Sequence, residues 1–292
     1  IILNQINFLI PVYNDWKSLE LLLKKINNEL SRKKIFCNVV IIDDCSSERP
    51  SVYTKELSYL RKINILRLKK NVGSQKAIGL GLKHISKIKK RSTILIMDSD
   101  GEDDPKQINK MIENAEKFPN YVITSNRTKR KESLLIRFLY KSHLILTFIF
   151  TGKWISFGNY TSLDSKNLKS LFKDGSVWFA YPAAVIKNNN IKRLFAARKK
   201  RYYGSSKLTL YKLFFHSLKI ISVFDLRVFI FSLTYISILQ IIFYNTDKLF
   251  FYFFTILIIL LNILILFKKF FINRIKIDYN KNWVNYLKSI KG

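Results

Sequence analysis

Residues 94–105 read ILIMDSDGEDDP. Four apolar residues run straight into five acidic ones within seven positions. The apolar run has the length and composition of a buried strand. The acidic cluster then marks the loop beyond the strand's carboxyl end. This concentration of negative charge sits in a chain of 292 residues with 51 Lys+Arg, 20 Asp+Glu and a formal net charge of +31.

The same grammar repeats on either side. Apolar runs over Ile6–Val12, Val39–Ile42, Ile63–Leu68, Ile94–Met97 and Tyr121–Ser125 alternate with helical patterns over Leu19–Leu30, Gly73–Ile88 and Pro105–Lys117. A charged segment over Val52–Arg61 also reads as helical. Strands alternating with helices predict an α/β fold with a mostly parallel sheet covered on both faces. Ligands of such sheets bind beyond the carboxyl ends of the strands. The polar clusters Tyr13-Asn14-Asp15, Asp43-Asp44, Asn71–Lys76, Asp98–Glu102 and Ser125-Asn126-Arg127 all fall there.

Asp98 and Asp100, at i and i+2 past a strand, can converge on one hard cation, with Glu102 as a third oxygen ligand. Mg²⁺ or Mn²⁺ held in this way keeps positions open for substrate phosphates. The alternative is an acidic turn that caps the helix at Pro105, a role that suits Asp103 and Asp104. Asp43-Asp44 offers carboxylates for a base N–H or a ribose hydroxyl, or else a turn closed by Ser46 and Ser47. Cys37 and Cys45 form no CxxC pair and no Cys/His cluster, which excludes a zinc site of ordinary spacing. His84, His143 and His216 are scattered. The chain lacks GxGxxG and Walker A sequences, and Gly79 and Gly81 read as close-packing positions within a helix. Its opening, IILNQINFLIPVYND, reads as the start of a strand and not as a signal peptide.

Beyond residue 127 the character changes. Stretches at 133–150 and 207–222 are basic and amphipathic, as suits helices in a membrane interface or helices packed on the sheet. Val228–Tyr244 and Leu249–Phe267 carry no charge, and each approaches the ~20 residues needed to cross a bilayer. Asn245-Thr246-Asp247-Lys248 joins them, so they read as a transmembrane hairpin. Ten Lys/Arg in 187–219 and seven in 268–292, against one in the connection, place both ends in the cytoplasm. The expected organisation is a nucleotide-binding core over 1–130, an acceptor-side region over 131–222, a hairpin over 223–268 and a basic cytoplasmic tail over 269–292.

FLIPVYND, VVIIDDCSSE, NVGSQKAIGLGL and ILIMDSDGEDDP, taken in order, resemble the inverting GT-A glycosyltransferases of family 2. RYYGSSKLTLYKLF, at 201–214, resembles the R-x-x-G-x-S-K segment of the dolichyl- and polyprenyl-phosphate sugar transferases, which a hydrophobic hairpin also follows. The resemblance implies an integral membrane enzyme that takes a UDP- or GDP-sugar and transfers it, with inversion, to a polyprenyl phosphate. It further implies dependence on Mg²⁺ or Mn²⁺, contact with the bilayer and assembly into a homo-oligomer. Carried over by position, Pro11, Tyr13 and Asp15 border the base and ribose, and Asp44 contacts the base. Asn71, Gly73 and Lys76 match an N-x-G-x-x-x-A stretch that passes close to the nucleotide. Asp98 reaches the ribose or the metal, Asp100 binds the metal, and Glu102 stands where relatives often have Gln. Arg127, Arg201 and Lys207 hold phosphates of donor or acceptor, and Arg137 is a further candidate on the membrane-side helix.

One departure bears on the acceptor. Relatives commonly carry an acidic residue where this chain has Asn159, and an amide is no base. A hydroxyl nucleophile must lose a proton in the transition state. A lipid monophosphate, with a second pKa of ~6, is already largely dianionic at neutral pH. Asn159 therefore suits a phosphate acceptor, unless Asp164 or Asp174 supplies the base. Two other readings compete: transfer to a hydroxyl of a lipid-linked or polysaccharide acceptor, and a non-catalytic membrane-anchored binder of anionic polymer. A processive synthase is disfavoured by the lack of a QxxRW-like stretch. Nucleic acid is not an expected partner, because acidic pockets at strand ends repel phosphates unless a cation intervenes.

Overall fold

The structure, a computed structural model, describes residues 5–48, 50, 52–53, 55–88, 90–127, 134–204, 210–244, 248–273 and 284–291. It divides into two compact units. One comprises 1–131, 156–206 and 278–292, and the other 132–155 and 207–277.

The first unit opens with β1 (Gln5–Val12), α1 (Trp16–Ser31), β2 (Cys37–Asp43), β3 (Leu60–Leu68), α2 (Ser74–Ile85) and β4 (Ser92–Ile96). It continues through α3 (Ile108–Lys117) and β5 (Tyr121–Arg127). The second unit's helix α4 (Leu134–Thr151) intervenes before β6 (Phe157–Asp164), α5 (Leu168–Leu171), α6 (Tyr181–Asn188) and β7 (Asn190–Ala196). Helices α7 (Leu210–Ser222), α8 (Asp225–Ile242) and α9 (Lys248–Asn273) follow, and β8 (Val284–Lys291) closes the chain's ordered elements.

The eight strands among the described residues form one sheet in the order β7-β5-β6-β4-β1-β2-β3-β8. β1 is parallel to β2 and β4, β2 to β3, and β5 to β7, whereas β6 and β8 run antiparallel to their neighbours. The central parallel strands β1, β2 and β4 are buried along nearly their whole length, as in sheets with helices on both faces. Ile6, Phe8 and Ile10 of β1 join a core with Leu19, Leu22 and Leu23 of α1 and Met111 and Ile112 of α3. Leu9 faces the other way. A Cβ on Gly81 of α2 would come within 2.3 Å of its side chain, so only glycine lets that helix lie so close to the sheet.

Two segments differ from the sequence reading. Val52–Arg61 is not helical: β3 already begins at Leu60, and the described residues before it form turns. Asn27 of α1 takes over the backbone bonding there. Its amide donates to the Glu56 carbonyl and its carbonyl accepts from the Tyr59 N–H at 2.9 Å. The second difference lies beyond residue 130, where β6, α6 and β7 return to the sheet. β6 (FGNYTSLD) lacks the apolar run of the other strands. Asn159 and Asp164 are buried and bonded, and Thr161 meets the Tyr181 hydroxyl at 2.5 Å, whereas the buried Ser162 hydroxyl has no hydrogen-bond partner. The 269–292 segment likewise contributes β8, antiparallel to β3.

In the second unit α4 and α7 coincide closely with the two expected amphipathic stretches. Helices α8 and α9 are long and apolar enough to cross a membrane. Only 11% and 6% of their apolar windows are buried, so they are not core helices. Asn262 of α9 donates to the Ser232 hydroxyl of α8 at 2.8 Å, and Ile221, Val228 and Ile265 form a small apolar cluster. Residues 245–247 of the expected connection lie outside the described residues.

Candidate active site

The first unit gathers its polar loops at the carboxyl ends of β1, β2 and β4. After β2, Asp43 is fully buried. It accepts from the Ser46 N–H at 2.8 Å and lies 3.6 Å from Arg67. Asp44 turns toward the next loop, where its two oxygens accept from the Val72 N–H at 2.7 Å and the Gly73 N–H at 2.8 Å. Burial pushes the Asp44 carboxyl up to about 6, against the pull of those two N–H groups. Asp44 therefore fastens the Asn71–Gly73 loop to β2. Gly73 stands at φ 84° immediately before α2, a conformation that disfavours any side chain. Asn14 binds the loop after β2, accepting from the Ser47 N–H at 2.8 Å.

The acidic loop after β4 is folded back on itself. Asp103 accepts from the Asp98 N–H at 3.1 Å and so closes the loop. Asp104 does cap, accepting from the Lys106 N–H at the 3₁₀ turn that leads into α3. Asp100 accepts from the Glu102 N–H at 3.0 Å across Gly101. Gly101 has φ 82°, and a Cβ there would meet the Tyr202 ring at 2.3 Å.

A basic strap from the segment after β7 lies over this loop. Arg201 donates to Asp100 and to Asp15, each at 2.9 Å. Arg198 pairs with Glu102, and Lys199 lies 3.3 Å from Asp104. Backbone bonds fix the strap as well: Lys199 N–H to the Glu102 carbonyl at 2.9 Å and Tyr202 N–H to the Asp100 carbonyl at 3.0 Å. Lys25 sits 4.1 Å above the Tyr202 ring. Burial, with Asp104, Asp100 and Asp103 nearby, pushes the Tyr202 hydroxyl up to about 12. That hydroxyl and the Arg201 Nε are buried donors without a hydrogen-bond partner. Asp15, a natural N-cap for α1 by sequence, makes no capping bond and instead holds Arg201.

On the other flank Asn159 of β6 donates to Asp98 at 2.9 Å and accepts from Gln75 of α2 at 3.1 Å. The two acids considered as alternative bases lie elsewhere. Asp164 pairs in register with Thr93 near the start of β4, away from the Asp98 end, and binds Arg91. Asp174 is held at about 2: burial raises it, but hydrogen bonds from Lys187, Ser176 and Asn188 outweigh that.

Of the residues singled out by sequence, Asp15, Asp100 and Arg201 are brought together, whereas Asp98 faces Asn159 and Glu102 pairs with Arg198. Pro11 is buried in β1, and Tyr13 is exposed beyond it. Asn71 is exposed, Lys76 lies in the first turn of α2, and Arg127 ends β5 with its side chain outside the described residues. Arg137 is exposed on α4 of the second unit, and Lys207 lies outside the described residues. Sequence reading missed Arg198, Lys199, Tyr202, Gln75 and Tyr181. The run of basic residues at 198–201 was visible only as charge.

Among the described residues no three His, Cys, Asp or Glu side chains converge on a metal position, so Glu102 does not join Asp98 and Asp100 as a third ligand. The donor set fits an open site instead. Asp15 and Asp100 already share one cationic group, the Arg201 guanidinium, and Mg²⁺-type ions need only one or two carboxylates beside phosphates and water.

Comparison with known proteins places this geometry. The model of glycosyl transferase family 2 matches residues 8–187, which span β1 to α6 and so include the acidic loop and Asn159. The chain belongs to glycosyl transferase family 2. Among family 2 relatives, a dolichol-phosphate mannosyltransferase of Pyrococcus furiosus is 29% identical over 125 residues, covering 43% of this chain and 34% of that protein. An undecaprenyl-phosphate 4-deoxy-4-formamido-L-arabinose transferase of Edwardsiella ictaluri is 28% identical over 130 residues, covering 44% of this chain and 38% of that protein. The matches thus span well under half the length of these curated relatives. The crystal structure of glucosyl-3-phosphoglycerate synthase from Mycobacterium tuberculosis, in complex with Mn²⁺, UDP-glucose and phosphoglyceric acid, superposes with a TM-score of 0.53. It is 13% identical, over 77% of this chain and 80% of that one. That likeness establishes the shared GT-A fold.

Proposed function

We propose that this family 2 protein transfers a sugar, with inversion, from a UDP- or GDP-sugar to a polyprenyl phosphate at the cytoplasmic face of a membrane. The observation that carries the reading is the Arg201 guanidinium shared between Asp100 and Asp15 beside the β4 acidic loop. The loop carries charge for a divalent cation, and the arginine carries charge for phosphate. Both stand at the strand ends where a nucleotide-sugar would lie.

Asp98 and Asp100 would hold Mg²⁺ or Mn²⁺, with Glu102 beside them, and the ion would neutralise charge developing on the departing nucleoside diphosphate. The chain's own residues do the rest. Asp44 holds the Asn71–Gly73 loop so that its backbone can approach the nucleotide. Arg201, held beside the acidic loop by Asp100 and Asp15, would present its planar fork to phosphate oxygens, a bidentate geometry that lysine lacks. The buried Arg201 Nε and Tyr202 hydroxyl are further donors for such an anion. Asn159 takes no proton. A phosphate acceptor needs no base, so positioning and electrostatics suffice. The exposed apolar helices α8 and α9 support anchoring in the bilayer where a lipid acceptor resides.

The test is a transfer assay with detergent-purified protein, polyprenyl phosphate, Mg²⁺ or Mn²⁺ and labelled UDP- and GDP-sugars. Label should enter the organic phase as a phosphate-linked lipid. Metal-dependent nucleotide binding without any lipid product would replace the acceptor by a hydroxyl compound.

A further inference from the structure

The amides of Gln75 and Asn159 form a chain with one possible direction. It begins at the backbone N–H of Tyr181, the first residue of α6 and one of the donors that a helix start leaves without an intrahelical partner. That N–H donates to Gln75 Oε1 at 2.7 Å. An N–H can only donate, so the Gln75 carbonyl faces Tyr181 and its Nε2 faces Asn159 Oδ1, at 3.1 Å. The Asn159 Nδ2 is thereby turned to Asp98 Oδ1, at 2.9 Å, and an ionised carboxylate can only accept. Asn159 is only 8% exposed, and a buried bond to a charged group is stronger than one in water. Both ends of its amide are occupied.

From this we infer that Gln75 and Asn159 are positioning residues for the donor site: they form a polarised relay that holds Asp98 in one orientation from the start of α6. The inference rests on the proposed role of Asp98 in donor binding. It also assigns position 159 a purpose. An aspartate there would offer Asp98 no N–H and would face it with a second negative charge. Here the residue serves the donor side and takes no proton from the acceptor.

The relay can be reversed at a distance. Gln75→Glu keeps the bond from Tyr181 but presents an oxygen to Asn159. The Asn159 amide then turns, and its oxygen meets Asp98. Binding of UDP and GDP with Mn²⁺ is measured by calorimetry on the full chain in detergent, for wild type, Gln75→Glu, Asn159→Leu and the double variant, alongside thermal melting. Each single variant should bind the preferred nucleotide about tenfold more weakly or worse. The double variant should be no worse than Asn159→Leu, because the relay is already cut. Turnover should fall while the KM for the lipid acceptor stays unchanged. If Gln75→Glu does not fold, Asn159→Leu carries the same comparison. Wild type binding with both single variants within twofold of it overturns the relay alone, and so does strict additivity. Wild type binding neither nucleotide overturns the donor-site reading and the relay with it. Asn159→Asp, equal in size, should lower transfer at least tenfold. A rate at or above wild type would show position 159 to be a base position and overturn the inference.

Discussion

The Arg201 guanidinium bridges Asp100 and Asp15, 2.9 Å from each, although 101 and 186 residues of chain separate it from them. A divalent cation bound at Asp100, as proposed, would compete with this guanidinium for the same carboxylate. Arg201→Ala should therefore bind Mn²⁺ alone more tightly than wild type, yet transfer sugar at least 10²-fold more slowly for want of a phosphate donor. Manganese titration followed by electron paramagnetic resonance reads the first effect. Unchanged Mn²⁺ affinity would mean that the guanidinium is no competitor.

Asp100→Asn keeps size and removes charge. Transfer should fall about 10²–10³-fold, the scale for losing one preorganised electrostatic contact at a reacting centre. The protein should still fold, since the sheet core lies beneath the loop. Steady-state rates together with circular dichroism test both statements. Full activity would remove Asp100 from the site.

Gly101→Ala forces a side chain into a left-handed conformation, at a cost of about 1–2 kcal/mol, and drives its Cβ into the Tyr202 ring. The strap should then lift from the acidic loop. Lower melting temperature and lost transfer are expected together, and a melting temperature equal to wild type would mean that the strap already moves freely.

The pH dependence of stability has a definite sign at Asp174, whose folded carboxyl is held at about 2. An unfolded aspartate titrates near ~3.9, so its contribution is complete above that value and is lost as pH falls toward 2. Asp174→Asn should melt below wild type at pH 7, and the gap should close between pH ~4 and ~2. A gap independent of pH would assign the loss to packing.

Leu260, in the middle of α9, is 49% exposed. Arginine there costs about 2.5–3.5 kcal/mol in a bilayer centre. Leu260→Arg should shift the protein from the carbonate-resistant membrane fraction toward the extractable one. Retention in the membrane would indicate that α9 does not span it.

Much of the architecture was legible because periodicity reports burial. β1, β2 and β4 are apolar runs with both faces covered, and the observed strands begin and end within a few residues of those expected. β6 was not legible. Its polar run lacks the apolar pattern of a strand, and partners distant in sequence, Gln75 for Asn159 and Tyr181 for Thr161, make those buried polar groups tolerable. Val52–Arg61 failed as a helix for a related reason: a side chain of α1 satisfies the backbone that a helix would have satisfied.

By itself, the sequence determined which carboxylates end which strands, the order of the family motifs and the two uncharged apolar stretches within α8 and α9, because these are local properties of composition and spacing. Tertiary structure alone decided what each charged group faces. It set Arg201 on Asp15 and Asp100, Arg198 on Glu102, and Asn159 between Gln75 and Asp98. The physical reason is that a buried or half-buried polar atom must find a partner wherever the fold supplies one, and that partner's distance along the chain carries no signal in the local pattern.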